Sequence, residues 1–420
     1  MKIFLVTRGS QGDVYPYLGL AETLVNAGHE IFISIPKEFE KQAAALKLNF
    51  ILQSTDDITG VVNDSKGTKD LLKWMQRIIE QQFTEFIPIV KEYDIFIASN
   101  TEFAAPHIAE YCGKPIIRTG YAPLLPSSKI FPAVFPIINP PAILRPRLLW
   151  SILNLGLNLM MLKSINKLRS QYGMKPIKNQ GEYAPSHADN FLMYSPTLAE
   201  IDEGWKYRWH AGGYCFNDTL PYDKDAFTQL ENFVKKDSRP TVFFSLGSCT
   251  HKNRDIVSSW LLDICKERGY KLVVGSGWFK TGGNLSAEDN LFLQRTYLPH
   301  NLVMPLFDAI IHHGGAGTSH SAARSGRPQL ILPILIDQFY YATRTQKLGV
   351  SPGSPKHFKK LTRKFLERQL VKMIEDPIYK KNAEALAVKI NAERGLDAMH
   401  QYIEKVAISY HENGYSSRRV

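Results

Sequence analysis

Apolar residues along this chain follow two rhythms. Short unbroken runs, of the kind buried on both faces of a parallel sheet, stand at Ile3–Thr7, Ile31–Ile35, Ile95–Ala98 and Pro115–Ile117. Between them apolar positions recur at helical spacing, as in Leu18, Ala21, Leu24 and Val25 with Gly28 as the stop, and again around Ala104–Tyr111. Strands alternating with helices predict parallel pairing through right-handed crossovers.

The rhythm lapses twice. Residues 123–146 are dense in proline and large apolar side chains and predict no regular element, after which Leu148–Gln171 reads as one or two helices. An apolar stretch without strand pattern suits the wall of a hydrophobic pocket as well as an ordinary packed loop. Asn217–Asp225 is polar and leads into a charged helix ending near Asp237, with Ser238-Arg239-Pro240 behind it. Strand rhythm then restarts at Thr241–Leu246 and continues at Lys271–Val274, Leu291–Gln294, Ile310–His312 and Leu330–Leu332. Helices are expected over Leu361–Glu375, Tyr379–Ala392 and Ala398–His411, with Ser416–Val420 frayed. Two successive units that each begin strand, glycine loop, helix predict two lobes across a cleft.

Composition narrows the class. With 420 residues, 44% of them hydrophobic and 22% charged, the chain has material for two folded domains and is no disordered tail. The net charge of +11 suits an anionic partner. Its basic residues are spread out, and no zinc finger or basic-aromatic motif accompanies them, so nucleic acid is not the expected partner. Cys112, Cys215, Cys249 and Cys265 form no CxxC pair and have no histidine at zinc spacing, which predicts reduced core thiols and a cytoplasmic setting. The first apolar run is too short for a signal peptide. Leu148–Leu162 is interrupted by Ser151, Asn154 and Asn158 and is expected to fall short of a membrane span. Arg145, Arg147, Lys163, Lys167 and Arg169 flank it, a pattern that suits peripheral contact with an anionic membrane surface.

Three segments carry chemistry. Gly9-Ser10-Gln11-Gly12-Asp13 follows the first strand, where parallel sheets hold their ligands. It lacks GxGxxG, so no dinucleotide site is expected. Asp13 lies near a helix start and is read either as a first-turn carboxylate that satisfies orphan N–H groups or as a catalytic group. The second segment is His312-His313-Gly314-Gly315-Ala316-Gly317-Thr318, a strand end opening through glycines into a helix. Free N–H groups there make a phosphate cradle, and the absence of a P-loop lysine disfavours an ATPase. His313 is the candidate donor to a diphosphate, whereas His312 is expected to be buried in the strand. The third is Asp337-Gln338-Phe339, where a carboxylate beside an amide offers the acceptor and donor pair that vicinal sugar hydroxyls need; an N-cap aspartate with an incidental neighbour is the plainer account. Gly247-Ser248-Cys249-Thr250 and Tyr297-Leu298-Pro299-His300 are weaker candidates for hydroxyl and ring contacts.

These segments, with Pro299-His300-Asn301 before Pro305 and with Gly326 and Pro328, resemble those of the nucleotide-sugar glycosyltransferases of the GT-B fold (family 1-like). Within them the look is that of the sterol glucosyltransferase, rhamnosyltransferase and antibiotic-aglycone glycosyltransferase branch. The resemblance implies two Rossmann-like lobes: an acceptor lobe over 1–216, a linker over 217–238, a donor lobe over 239–380, and terminal helices over 381–420 packing back on the first lobe. It implies Asp13 as general base, and His313 with Gly315, Ala316, Gly317 and Thr318 on the diphosphate. Asp337 and Gln338 would contact the donor sugar, Ser248 would lie near the phosphates and Tyr297 near the base, with Gly12 and Phe339 close by. Relatives often carry Trp at the Tyr297 position and Arg at that of Gln11.

The implied reaction is inverting transfer of a sugar to a hydroxyl of a hydrophobic acceptor. UDP-glucose is the favoured co-substrate and a dTDP-sugar the next. No tightly bound cofactor, no obligatory metal and no protein partner is expected. A sugar-nucleotide epimerase, or an inactive relative that holds a nucleotide or lipid, is the alternative.

Overall fold

The computed structural model describes residues 1–54, 68–141, 143–249, 251–275 and 289–413. Thr250 and Ser416–Val420 lie outside them. Seven strands make the first sheet: β1 Lys2–Val6, β2 Glu30–Ile35, β3 Asn49–Leu52, β4 Ile95–Ser99, β5 Ile116–Gly120, β6 Asp189–Leu192 and β7 Trp209–Ala211, in the order β3-β2-β1-β4-β5-β6-β7. Every pairing is parallel, with Ile3 opposite Ile31 on one side and Ile95 on the other. Alternate residues of β1 serve two cores. Ile3 and Leu5 pack under the Gln11–Asn26 helix, while Phe4 and Val6 face the Thr68–Glu92 helix.

The second sheet holds β8 Thr241–Ser245, β9 Lys271–Val274, β10 Leu291–Leu293, β11 Ala309–His312 and β12 Gln329–Ile331, in the order β10-β9-β8-β11-β12, again all parallel. Strand order reverses between β1 and β4 and between β8 and β11. Such switch points leave a crevice at the carboxyl ends of the strands, and the loops after β1, β8 and β11 all open there.

The boundaries differ from expectation. The Lys224–Lys235 helix belongs to the second lobe, because Phe227, Leu230 and Val234 turn onto its sheet; the connection is only residues 212–223. Arg324 grips Asp218 of that connection with both terminal nitrogens, at 2.8 and 2.7 Å. The Pro377–Ala392 helix also stays with the second lobe, against the Ala316–Arg324 helix. The chain crosses back later, at Glu393–Gly395, and the Gly395–Asn413 helix lies on the Gln11–Asn26 helix. His29 and His400 meet there, Nε2 to Nε2 at 3.1 Å. The two crossings touch: a Cβ on Gly213 would stand 2.8 Å from the Glu393 Cβ and 3.3 Å from the Gly395 nitrogen.

Of the one or two helices expected over Leu148–Gln171, the structure has one rod. Pro146–Leu157 and Lys163–Gln171 are joined without a break by a wide turn over Asn158–Leu162. At 26 residues the rod is long and apolar enough to cross a membrane by length and composition, contrary to the shorter segment expected from the sequence.

Candidate active site

The helices that follow β1 and β11 aim their N-termini into one cleft of about 790 Å³ between the lobes. Each N-terminus presents N–H groups without intrahelical partners and the positive end of a helix dipole. The two approach closely at glycines: a Cβ on Gly317 would meet the Gly12 Cα at 3.3 Å and the Tyr214 hydroxyl at 3.1 Å. Pro16 lies inside the first of these helices and cannot donate to the Gly12 carbonyl four residues back. The Tyr214 hydroxyl lies 3.5 Å from that carbonyl, its ring stacked on His320 of the other lobe.

Asp13 lines the cleft. Its Oδ2 accepts from the Ser10 backbone N–H at 2.8 Å and the Ser10 hydroxyl at 3.1 Å, a capping box that fixes the carboxylate at the helix entrance. A carboxylate offers about four acceptor positions, so capping does not exhaust it. Its charge reaches Asp337 on the opposite lobe. Burial, and secondly the Asp13 charge, push the Asp337 carboxyl up to about 7. Asp337 stands at the N-cap of the Gln338–Lys347 helix yet caps nothing with its side chain. The residue before it, Ile336, holds a φ of 41°, a costly conformation for a β-branched side chain.

His313 is buried at the rim of the glycine loop after β11, and burial drives its pKa down to about 4, partly offset by the Ser245 backbone. Among the described residues its Nδ1 meets no hydrogen-bond partner. A buried polar atom of that kind calls for a ligand or an ordered water. His312 is structural, as its neighbours dictate: Nε2 meets the Gln329 side-chain oxygen at 2.8 Å and Nδ1 accepts from the Gly314 N–H at 3.1 Å. Gly315, Ala316, Gly317 and Thr318 all line the cleft, as do Ser248 and Tyr297. Tyr297 rests its ring on Tyr15 of the other lobe at 5.1 Å.

Two expectations change. Gln338 commits its oxygen to the N–H groups of Ile334 and Leu335, at 2.8 and 2.9 Å, and its amide nitrogen lies 3.3 Å from Cys249 Sγ. It braces the Asp337 loop, and any sugar contact narrows to its remaining N–H. Phe339 does not face the cleft; it is buried and packs on His357 at 5.2 Å. One position further along the helix turns it inward. Sequence reasoning missed Tyr121 and Tyr214, both on the cleft wall; Tyr121 donates to the Asp13 carbonyl at 2.7 Å. It also missed the buried pair Arg8 and Glu102, 3.5 Å apart beneath the cleft. An arginine directly after an apolar strand was the signal for the pair.

A second cavity of about 160 Å³ lies behind the first, sharing Asn100, Phe103, Leu124 and Val134 with it and closed by Trp150, Leu153 and Leu157 of the long helix.

Known proteins place this architecture. Residues 3–127 match the Glycosyltransferase family 28 N-terminal domain and residues 287–397 the Erythromycin biosynthesis protein CIII-like C-terminal domain. A sterol 3-beta-glucosyltransferase of Candida albicans is 26% identical over 94% of this chain and 27% of its own length. One from Arabidopsis thaliana is 25% identical over 96% of this chain and 68% of its own. The chain spans about a third or less of the fungal relatives it matches, 27% and 34% for two of them. Among solved structures, the glycotransferase of kitacinnamycin superposes with a TM-score of 0.75 at 16% identity, covering 97% of this chain and 99% of the other. Glycosyltransferase VinC, in complex with dTDP, gives 0.66 at 17%, covering 97% and 100%. The chain is thus similar to the glycosyltransferase family 28 N-terminal domain in its first part and to the erythromycin CIII-like C-terminal domain in its last, and its fold is the two-lobed GT-B fold.

Proposed function

We propose that the chain transfers a sugar from a nucleoside diphosphate to a hydroxyl of an apolar acceptor, with inversion at the anomeric carbon. The observation that carries this reading is the Asp13 carboxylate facing, across one narrow cleft, a helix N-terminus with an unpartnered buried His313 Nδ1. The acceptor hydroxyl must lose its proton during attack. Asp13 takes it in the transition state, since a carboxylate is far too weak a base to form a stable alkoxide beforehand. On the leaving side, the N–H groups of Ala316, Gly317 and Thr318 and one N–H of neutral His313 stabilise the departing diphosphate. One well-aimed donor of this kind is worth about 3 kcal/mol. Asp337 orients the donor sugar, accepting from its hydroxyls. Closure of the lobes excludes water, the competing acceptor.

Glucose is the favoured sugar and a sterol the favoured acceptor, supported by the sterol 3-beta-glucosyltransferases among the relatives; UDP-glucose is the first donor to try, and the dTDP held by VinC keeps a dTDP-sugar as the second. The test is turnover of UDP-glucose and dTDP-glucose with a detergent-solubilised sterol, comparing the chain with its Asp13→Asn variant. Asparagine keeps an oxygen for the Ser10 cap but accepts no proton. Turnover is expected to fall by about 10²–10⁴-fold with donor affinity kept. Undiminished turnover removes Asp13 from the mechanism, and diphosphate release that ignores the acceptor removes the transferase.

A further inference from the structure

We propose that the Pro146–Gln171 helix docks this chain, lying flat, on an anionic lipid bilayer, with the acceptor cavity on the helix's inner face. Its exposed side reads Leu148, Ile152, Leu155 and Leu159, at 55%, 48%, 59% and 79% exposure, with Ile143 just ahead at 90%. That is an apolar stripe at spacings of four, three and four residues, one face of a helix. The same face continues one turn at a time into exposed Lys163 and Lys167, and Arg145 and Arg147 stand exposed at the other end.

Charge selects the partner. From residue 111 to 181 the chain has ten lysines and arginines and no aspartate or glutamate, against +11 for the whole molecule. An apolar stripe rimmed by cations over such a stretch fits negatively charged headgroups above acyl chains. A second protein would more often bring acidic side chains matched one by one, and this face offers no anion for a counter-charge.

The helix lies on the surface rather than spanning. Its other face is core: Leu149, Trp150, Met161, Ile165 and Leu168 are buried. Trp150 Nε1 donates to the Ile130 carbonyl at 2.8 Å, and buried Arg169 pairs with Glu110 at 2.6 Å. Insertion across a bilayer would strip that charge pair and the core behind it. The wide turn at Asn158–Leu162 keeps the rod continuous while its two halves meet different surroundings. Leu153 and Leu157, between the exposed stripe and the core, line the small cavity, which shares Asn100, Phe103, Leu124 and Val134 with the cleft. A bilayer under the stripe therefore lies across this one helix from that cavity.

The docking itself does not depend on the transferase reading; what enters the cavity does. The test is sedimentation of the full chain with phosphatidylcholine vesicles, with and without phosphatidylserine, at low and high salt. Two variants accompany it, Ile152→Glu with Leu159→Glu, and Lys163→Glu with Lys167→Glu, none of which lines either cavity. The wild type is expected to pellet with phosphatidylserine vesicles and to release at high salt. Each variant should lose at least about tenfold in binding with its melting temperature kept. Turnover of sterol in detergent should stay unchanged in the variants and fall on vesicle-embedded sterol. Wild type that stays in solution with both vesicles, or variants that pellet as it does, overturns the proposal. Pelleting without turnover of any sterol would leave docking standing and remove the sterol as acceptor.

Discussion

Asp13 and Asp337 look alike on paper, each an acidic residue at the mouth of a helix, and the fold treats them oppositely. Asp13 serves the cap and faces the cleft. Asp337 is left uncapping beside a strained Ile336, and its carboxyl is pushed up to about 7 by burial and then by Asp13. A carboxyl raised in the folded state binds its proton more tightly there than in the unfolded chain. Its contribution to stability is therefore complete at low pH and is lost as pH climbs from the ordinary carboxyl range to about 7. Asp337→Asn should melt like the wild type near pH 4 and about 2 °C higher at pH 8; a gap independent of pH would contradict the assignment. Sequence singled out both carboxylates, and both line the cleft. It could not tell their duties, because those are set by the backbone turn at Ile336 and by a charge arriving from the other lobe. Phe339 shows the same limit: its neighbours are cleft residues, and one helical step decides which way a ring points.

At the level of elements, the glycine contact between the Gln11–Asn26 and Ala316–Arg324 helices sets how near the two dipoles come. Gly317→Val should leave both sheets intact and hold the lobes apart. Turnover would drop at least about tenfold and small-angle scattering would give a larger radius. Unchanged turnover would mean that this approach is dispensable. The second sheet was legible nearly to the residue, since β8, β9, β11 and β12 are buried apolar runs. β6 and β7 were not. Asp189 and Asn190 are buried in β6, where Asp189 meets Arg208 at 3.2 Å and Asn190 donates to the carbonyls of Pro185 and Ala188. A strand whose polar groups are satisfied by partners outside it carries no apolar signature. The Thr68–Glu92 helix was legible in principle, for Met75, Ile79, Phe83 and Ile87 repeat every four residues.

Across the whole molecule, the lobes share more than a cleft. Leu192, Tyr194, Leu198 and Trp205 of the first pack in one cluster with Tyr341, Leu386 and Ile390 of the second. Glu393 accepts from the hydroxyls of Ser195 and Thr197 at 2.7 and 2.8 Å. Apolar burial on that scale between domains couples their unfolding. Calorimetry should therefore give a single transition, and two separated peaks would show the lobes melting independently.

The paired crossings at Gly213 and Gly395 also decide what kind of motion is left. Two backbones bound side by side act as the spine of a book, so the second lobe can swing about one axis and has little freedom to twist. Pages part most widely at the edge remote from the spine, which is where a spent nucleotide would leave. The cover holding the long helix need not stir while the other turns, so a molecule resting on a surface could exchange donors through many cycles without letting go.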